Sequence, residues 1–129
     1  MDLMKLEIVT PLGLIFSKEI KEVTLPGREG EFGVLPGHTS LVSILKAGVV
    51  DIILEDGRHE AVAINWGHVN VGESKVTILA DGAVSVYGSS ESEIAASIEK
   101  AKDLIKSMTD SEIVMAAAMT KIENIARPR

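Results

Sequence analysis

Val49-Val50-Asp51-Ile52-Ile53-Leu54-Glu55-Asp56-Gly57-Arg58-His59-Glu60-Ala61-Val62-Ala63-Ile64-Asn65-Trp66 is the stretch from which the architecture is read. Two arms rich in β-branched residues, 50–54 and 60–64, flank a charged centre. Asp56-Gly57 offers the positive backbone angles of a tight reversal, so the segment predicts a hairpin closed by a type I′ turn. Upstream, Leu6-Glu7-Ile8-Val9, Leu14-Ile15-Phe16 and Ile20-Lys21-Glu22-Val23-Thr24-Leu25 read as further strands, and the shifted apolar phase between Ile20 and Val23 predicts a bulge. Downstream, His68 to Val71 and Lys75 to Leu79 pair across Gly72-Glu73-Ser74, and Val84 to Tyr87 ends the series. Many short strands without intervening helices imply antiparallel pairing, as a sandwich or a flattened barrel.

After Gly88 the pattern changes. Glycine does not recur, and the only later proline is Pro128. Ser90-Glu91-Ser92-Glu93 has capping-box spacing, after which Ile94, Ile98, Ala101, Ile105 and Met108 fall on one helical seam. Thr109-Asp110-Ser111-Glu112 repeats the capping pattern, and Met115, Met119, Ile122 and Ile125 or Ala126 give a second stripe that stops at Arg127-Pro128. So short a connection predicts an antiparallel helical hairpin. Charge supports a division: residues 1–88 carry seven basic and twelve acidic side chains, residues 89–129 six and seven. The chain divides at 88/89 into a β domain, 1–88, and a helical hairpin, 89–129, held to it by a seam of alanine and methionine that buries modest area.

Composition removes several functions. With 46% hydrophobic and 25% charged residues in 129, one core and a small appendage are expected. Aromatics are 3% and the net charge is −6, so a stacking platform and a polyanion-binding footprint are both missing and nucleic acid is not an expected partner. There is no cysteine, which excludes disulfides and thiolate zinc sites and permits a reducing compartment. His38, His59 and His68 lack the spacing of a metal pair, and there is no Gly-x-Ser-x-Gly elbow, so no catalytic residue, metal or cofactor is expected. Met1 to Pro11 lacks the form of a secretory signal, and the uncharged run Ile113 to Thr120 is far short of the roughly 20 residues that span a bilayer, so direct membrane insertion is not expected.

One segment remains unexplained: Leu25-Pro26-Gly27-Arg28-Glu29-Gly30-Glu31-Phe32-Gly33-Val34-Leu35-Pro36-Gly37-His38. A phosphate loop would need Gly-Lys-Ser/Thr and a following helix, and Glu29 and Glu31 would repel phosphate. Pro26-Gly27 and Pro36-Gly37 predict type II turns instead. Two acids, Phe32 and His38 on stiff turns make a polar edge suited to docking a protein. Lys100, Lys102 and Lys106 on the first helix, with Lys121, Arg127 and Arg129 on the second, form the densest basic group, a solvated face or a docking surface for an acidic partner.

Residues Glu29 to His38, followed by Gly48-Val49-Val50, Gly67-His68-Val69 and Leu79-Ala80-Asp81, resemble the epsilon subunits of bacterial F-type ATP synthases. The resemblance spans essentially the whole chain. It implies a ten-stranded β-sandwich followed by a two-helix hairpin, in a noncatalytic subunit of the central rotor stalk at the cytoplasmic face of the inner membrane. It implies binding to the gamma subunit and to the polar loops of the c-subunit ring, and coupling of proton flow to ATP synthesis. Movement of the helices toward the alpha and beta subunits would restrain ATP hydrolysis. By matched position the ring contacts fall on Glu29, Gly30, Glu31, Phe32 and His38, and Lys100, Lys102, Lys106, Lys121 and Arg127 belong to the regulatory helices. The alternative is a freestanding β-sandwich binding module whose helices form a dimer.

Some family members bind ATP through a motif at the start of the first C-terminal helix, Ile or Leu, Asp, two variable residues, Arg, Ala. Aligned on Ile94, this chain has Ala95 for the Asp, Ile98 for the Arg and Glu99 for the Ala. Neither charged partner of a nucleotide is present. Calorimetric titration of the protein with ATP is expected to show no binding in the low-micromolar range, and heat of binding there would overturn this reading.

Overall fold

The computed structural model describes residues 2–87 and 90–125. In chain order come β1 (Met4–Thr10), β2 (Gly13–Gly27), β3 (Gly30–Val34), β4 (Leu41–Leu45), β5 (Gly48–Leu54), β6 (His59–Ile64), β7 (Gly67–Val71), β8 (Lys75–Ala80) and β9 (Ala83–Val86). They are followed by α1 (Glu91–Lys106) and α2 (Glu112–Ile125). One strand joins two layers: β2 pairs with β1 through its first half and with β3 and β5 through its second. The register slips between Ile20 and Glu22, skipping Lys21, where the apolar phase predicted a bulge. The strand bends there, so β2, β1, β8, β7 and β4 form one layer and β3, β2, β5, β6 and β9 the other. Gly27 meets Leu45 and closes a corner.

The sandwich followed by two helices agrees with the expected fold class, with differences in detail. The described residues hold nine strands, not ten, because Leu14–Phe16 and Ile20–Leu25, read as separate strands, are halves of the continuous β2. Pairing is antiparallel except between β1 and β8, which run parallel from Lys5↔Lys75 to Val9↔Leu79. The intervening chain passes through both layers before it returns, which supplies the long connection that parallel neighbours need. Lys75 Nζ lies 2.8 Å from Glu7 Oε1 across this pair. The hydrogen bond from Lys75, with the charges of Lys75 and Lys5, holds the Glu7 carboxyl below its ordinary pKa.

Two turns depart from expectation. Gly57 has φ of +88°, but no described non-glycine residue has positive φ, so the β5–β6 reversal is not type I′. Gly57 N–H donates to Leu54 O at 2.9 Å, and Arg58 N–H donates to the Asp56 carboxylate at 3.0 Å. An aspartate that braces its own turn keeps negative φ, and only the following glycine takes the left-handed conformation. Pro26-Gly27 likewise makes no turn: both residues continue β2, Gly27 pairs with Gly30, and the reversal falls on Arg28 and Glu29.

The alternation along β6 builds two cores. Val62 and Ile64 point between the layers, where they join Leu6, Ile8, Val23, Leu25, Ile52 and Ile78. Ala61 and Ala63 point outward and, with Val49 and Val86, receive Ala101 and Ile105 of α1 and Ala118 and Ile122 of α2. Small residues on that face let the helices approach closely, and burial of a side chain such as Ile105 contributes roughly 1.5–3 kcal/mol. α1 starts at Ser90, whose hydroxyl accepts from Glu93 N–H at 3.2 Å. α2 starts two residues later than the Thr109 cap predicted: Ser111 Oγ accepts from Val114 N–H, while Thr109 Oγ1 accepts from Ser111 N–H and braces the preceding turn. Met108, expected on the buried seam, lies beyond the end of α1 and is half exposed.

The chain crosses between layers at Asn65, a buried polar side chain. Its Oδ1 accepts from Trp66 N–H at 2.9 Å and Gly82 N–H at 2.7 Å, and its Nδ2 donates to Asp81 at 3.0 Å. Gly67, just beyond, allows β7 to lie against β8, since a Cβ there would stand 2.3 Å from Leu79 O. Asn65→Ala leaves two backbone donors without this partner, and urea denaturation is expected to show a loss of about 1–3 kcal/mol. A loss below the error of the measurement would remove the corner from this account.

Candidate functional site

The segment singled out from sequence folds into two separate features. Glu29 lies on the two-residue reversal between β2 and β3, and Gly30 and Glu31 open β3; all three are exposed. The tip is tied down from behind, because Arg28 N–H donates to Ile44 O and Lys46 N–H to Pro26 O, each at 2.9 Å. Phe32 is half-buried against the main core and anchors the tip from within. The acids are therefore held on a braced hairpin end.

His38 is elsewhere. Leu35-Pro36-Gly37-His38 is the expected type II turn, with Gly37 at φ +85° and His38 N–H donating to Leu35 O at 3.1 Å. Gly37 N–H donates to Glu73 O in the β7–β8 turn, and His38 Nδ1 is 2.6 Å from Thr39 O, which places a proton on Nδ1. Phe32, Gly33 and Val34 of β3 lie between Glu31 and this turn, which puts Leu35 about 13 Å from Glu31 at the rise of an extended strand. The single polar edge expected from sequence is thus two patches at opposite ends of β3, because the intervening residues run as a strand and do not coil back.

The helical residues are also divided. Lys100 and Lys106 are exposed on α1 and Lys102 is half-buried, and Lys102 and Lys106 share a cavity at the helix turn with Asp110 and Glu112. Lys121 of α2 is separate from them and forms an ion pair with Glu31. Arg127 lies outside the described residues. Of the positions aligned with the nucleotide motif, Ala95 and Glu99 are exposed and Ile98 packs into the second core, so the place of the arginine is held by an apolar contact.

Sequence reading missed a surface. On β4, β7 and β8 the register sets Val42 beside Asn70 and Thr77, and Ile44 beside His68 and Leu79. These residues face away from the main core. Val42 is 71% exposed, Ile44 52% and Leu79 44%, and Trp66 at the end of the same face is 48% exposed. The opposite outer face is roofed by α1 and α2, whereas no described helix covers this one. The signal in the sequence is the run Leu41-Val42-Ser43-Ile44-Leu45, apolar on both faces of a short strand. Among the described residues no three His, Asp or Glu side chains converge as a metal site, and no helix is long and apolar enough to cross a membrane.

Comparison with known proteins matches residues 3–86 to the family model described as ATP synthase, Delta/Epsilon chain, beta-sandwich domain. The chain is 63% identical to the ATP synthase epsilon chain of Campylobacter fetus subsp. fetus, over all of both chains. It is 55% identical to that of Nitratiruptor sp., over 98% of each. Among solved structures, a chain of the Euglena gracilis mitochondrial ATP synthase superposes with a TM-score of 0.65 at 23% identity, covering 96% of this chain and 81% of that one. A chain of the Tetrahymena thermophila mitochondrial ATP synthase central stalk and c-ring superposes with a TM-score of 0.56 at 12% identity, covering 95% and 90%.

Proposed function

The chain belongs to the ATP synthase delta/epsilon family, and on that premise we propose how its parts serve the central stalk. It is a noncatalytic rotor subunit of an F-type ATP synthase, associated with a membrane complex without a spanning helix of its own among the described residues. In this reading residues 1–88 couple proton flow to ATP synthesis and residues 89–129 restrain ATP hydrolysis by moving toward the alpha and beta subunits. The complex stands at the cytoplasmic face of the inner membrane.

The observation that carries this reading is the bare apolar face of β4, β7 and β8. Large aliphatic side chains and a tryptophan clustered in water, on a sandwich whose other outer face is roofed, fit a partner protein that completes the burial. We assign this face to the gamma subunit. The braced tip Glu29–Phe32 is the part set on the polar loops of the c-subunit ring, and His38, at the Leu41 end of β4, falls beside the gamma face. The alternative, a freestanding module with a dimerisation hairpin, loses support because Ala101, Ile105, Ala118 and Ile122 are buried on the chain's own sandwich.

Copurification with gamma tests the assignment. Val42→Glu together with Ile44→Glu is expected to weaken association about tenfold or more while circular dichroism of the isolated chain is unchanged; association at wild-type strength would overturn it. Removal of residues 89–129 is expected to leave gamma bound and to raise ATP hydrolysis in the absence of a proton gradient. Unchanged hydrolysis would take the braking role away from the helices.

A further inference from the structure

Lys121 and Glu31 are 90 positions apart in the chain, yet Lys121 Nζ on α2 donates to the Glu31 carboxylate near the tip of the β2–β3 hairpin. This ion pair joins a helix to the sandwich. Both residues line an open groove between α2 and the sandwich. Ala118 and Ile122 are the buried residues of α2. Toward the start of the helix, Ile113, Val114 and Ala117 share with Ala47 and Val49 a groove of about 440 Å³, so this half of α2 does not seal onto β5. The charge pair therefore bridges this groove beside the packed residues Ala118 and Ile122.

The Glu31 side chain is 53% exposed and that of Lys121 24%, so the carboxylate serves the helix and remains open to a second partner. A cationic group arriving at the tip would enter the range of the Lys121 ammonium. It would draw the carboxylate away and repel the lysine, more strongly as docking excludes water. We propose that Glu31 and Lys121 form a charge latch: paired, they hold α2 down, and a cationic partner group that engages Glu31 releases the helix. By linkage the docked helix in turn weakens that engagement. The proposal rests on the reading of the Glu29–Phe32 tip as a rotor contact and adds to it the control of the helix.

Hydrogen exchange of the α2 amides in the isolated full chain tests the latch without reference to the rotor. Glu31→Lys and Lys121→Glu place like charges together. Each is expected to speed exchange over Glu112–Ile125 about two- to fivefold, the range of an exposed ion pair, and to leave the sandwich core amides unchanged. The double variant E31K/K121E restores the pair with reversed signs and is expected to return exchange to near the wild-type rate. Unaltered exchange in Glu31→Lys, or no recovery in the double variant, overturns the latch.

In the assembled complex, α2 of the wild type is expected to exchange faster than in the free chain, and Glu31→Gln to abolish that difference. A difference that survives Glu31→Gln overturns the link to the partner. A Glu31→Lys chain that loses protection in isolation, yet joins the complex with wild-type strength, refutes the rotor reading of the tip while upholding the latch.

Discussion

Burial of β6 on both faces is the constraint on which the rest of the molecule depends. In Ala61-Val62-Ala63-Ile64 the large side chains fill the space between the sheets and the small ones form a floor for the helices. Larger residues at 61 and 63 would lift α1 and α2 off the sandwich, and polar ones would leave both helices, each near the length at which helices are marginal in water, without support. One strand of six residues thus decides that the appendage can dock at all.

That arrangement gives the sandwich two unlike outer surfaces. The face over β5, β6 and β9 is closed by the chain's own helices, with modest area and a groove left open beside α2. The face over β4, β7 and β8 is left apolar and uncovered. In the function proposed above, this asymmetry gives a permanent seat for one neighbour on one side and a detachable element on the other. The acidic tip lies at the end of the molecule where β2 meets β4 and also touches α2, so the region read as a ring contact and the region read as a brake share a charge.

Much of the fold was legible because it depends on local chemistry. The hairpins about Gly57 and Gly72–Ser74, the bulge at Lys21, the Pro36-Gly37 turn and the Ser90 cap each follow from residues within a few positions of one another. The misreadings arose where a local signal had two outcomes. Asp56-Gly57 allowed two turn types and the self-bracing aspartate decided between them. Pro26-Gly27 resembled a turn but continues β2. Thr109 and Ser111 both had cap chemistry, and the start of α2 chose the second.

The sequence by itself determined the alternation of large and small side chains, the change of pattern from strands to helices between Val86 and Glu91, and the family resemblance of the segment ending at His38. These are properties of composition and short-range spacing, carried by neighbouring residues. Tertiary structure alone decided that His38 and the acidic tip lie apart, that Val42, Ile44, Leu79 and Trp66 share an open face, and that Lys121 meets Glu31. The reason is physical: strand register and helix docking bring together residues tens of positions apart, and no local periodicity encodes which distant side chains will then face water or each other.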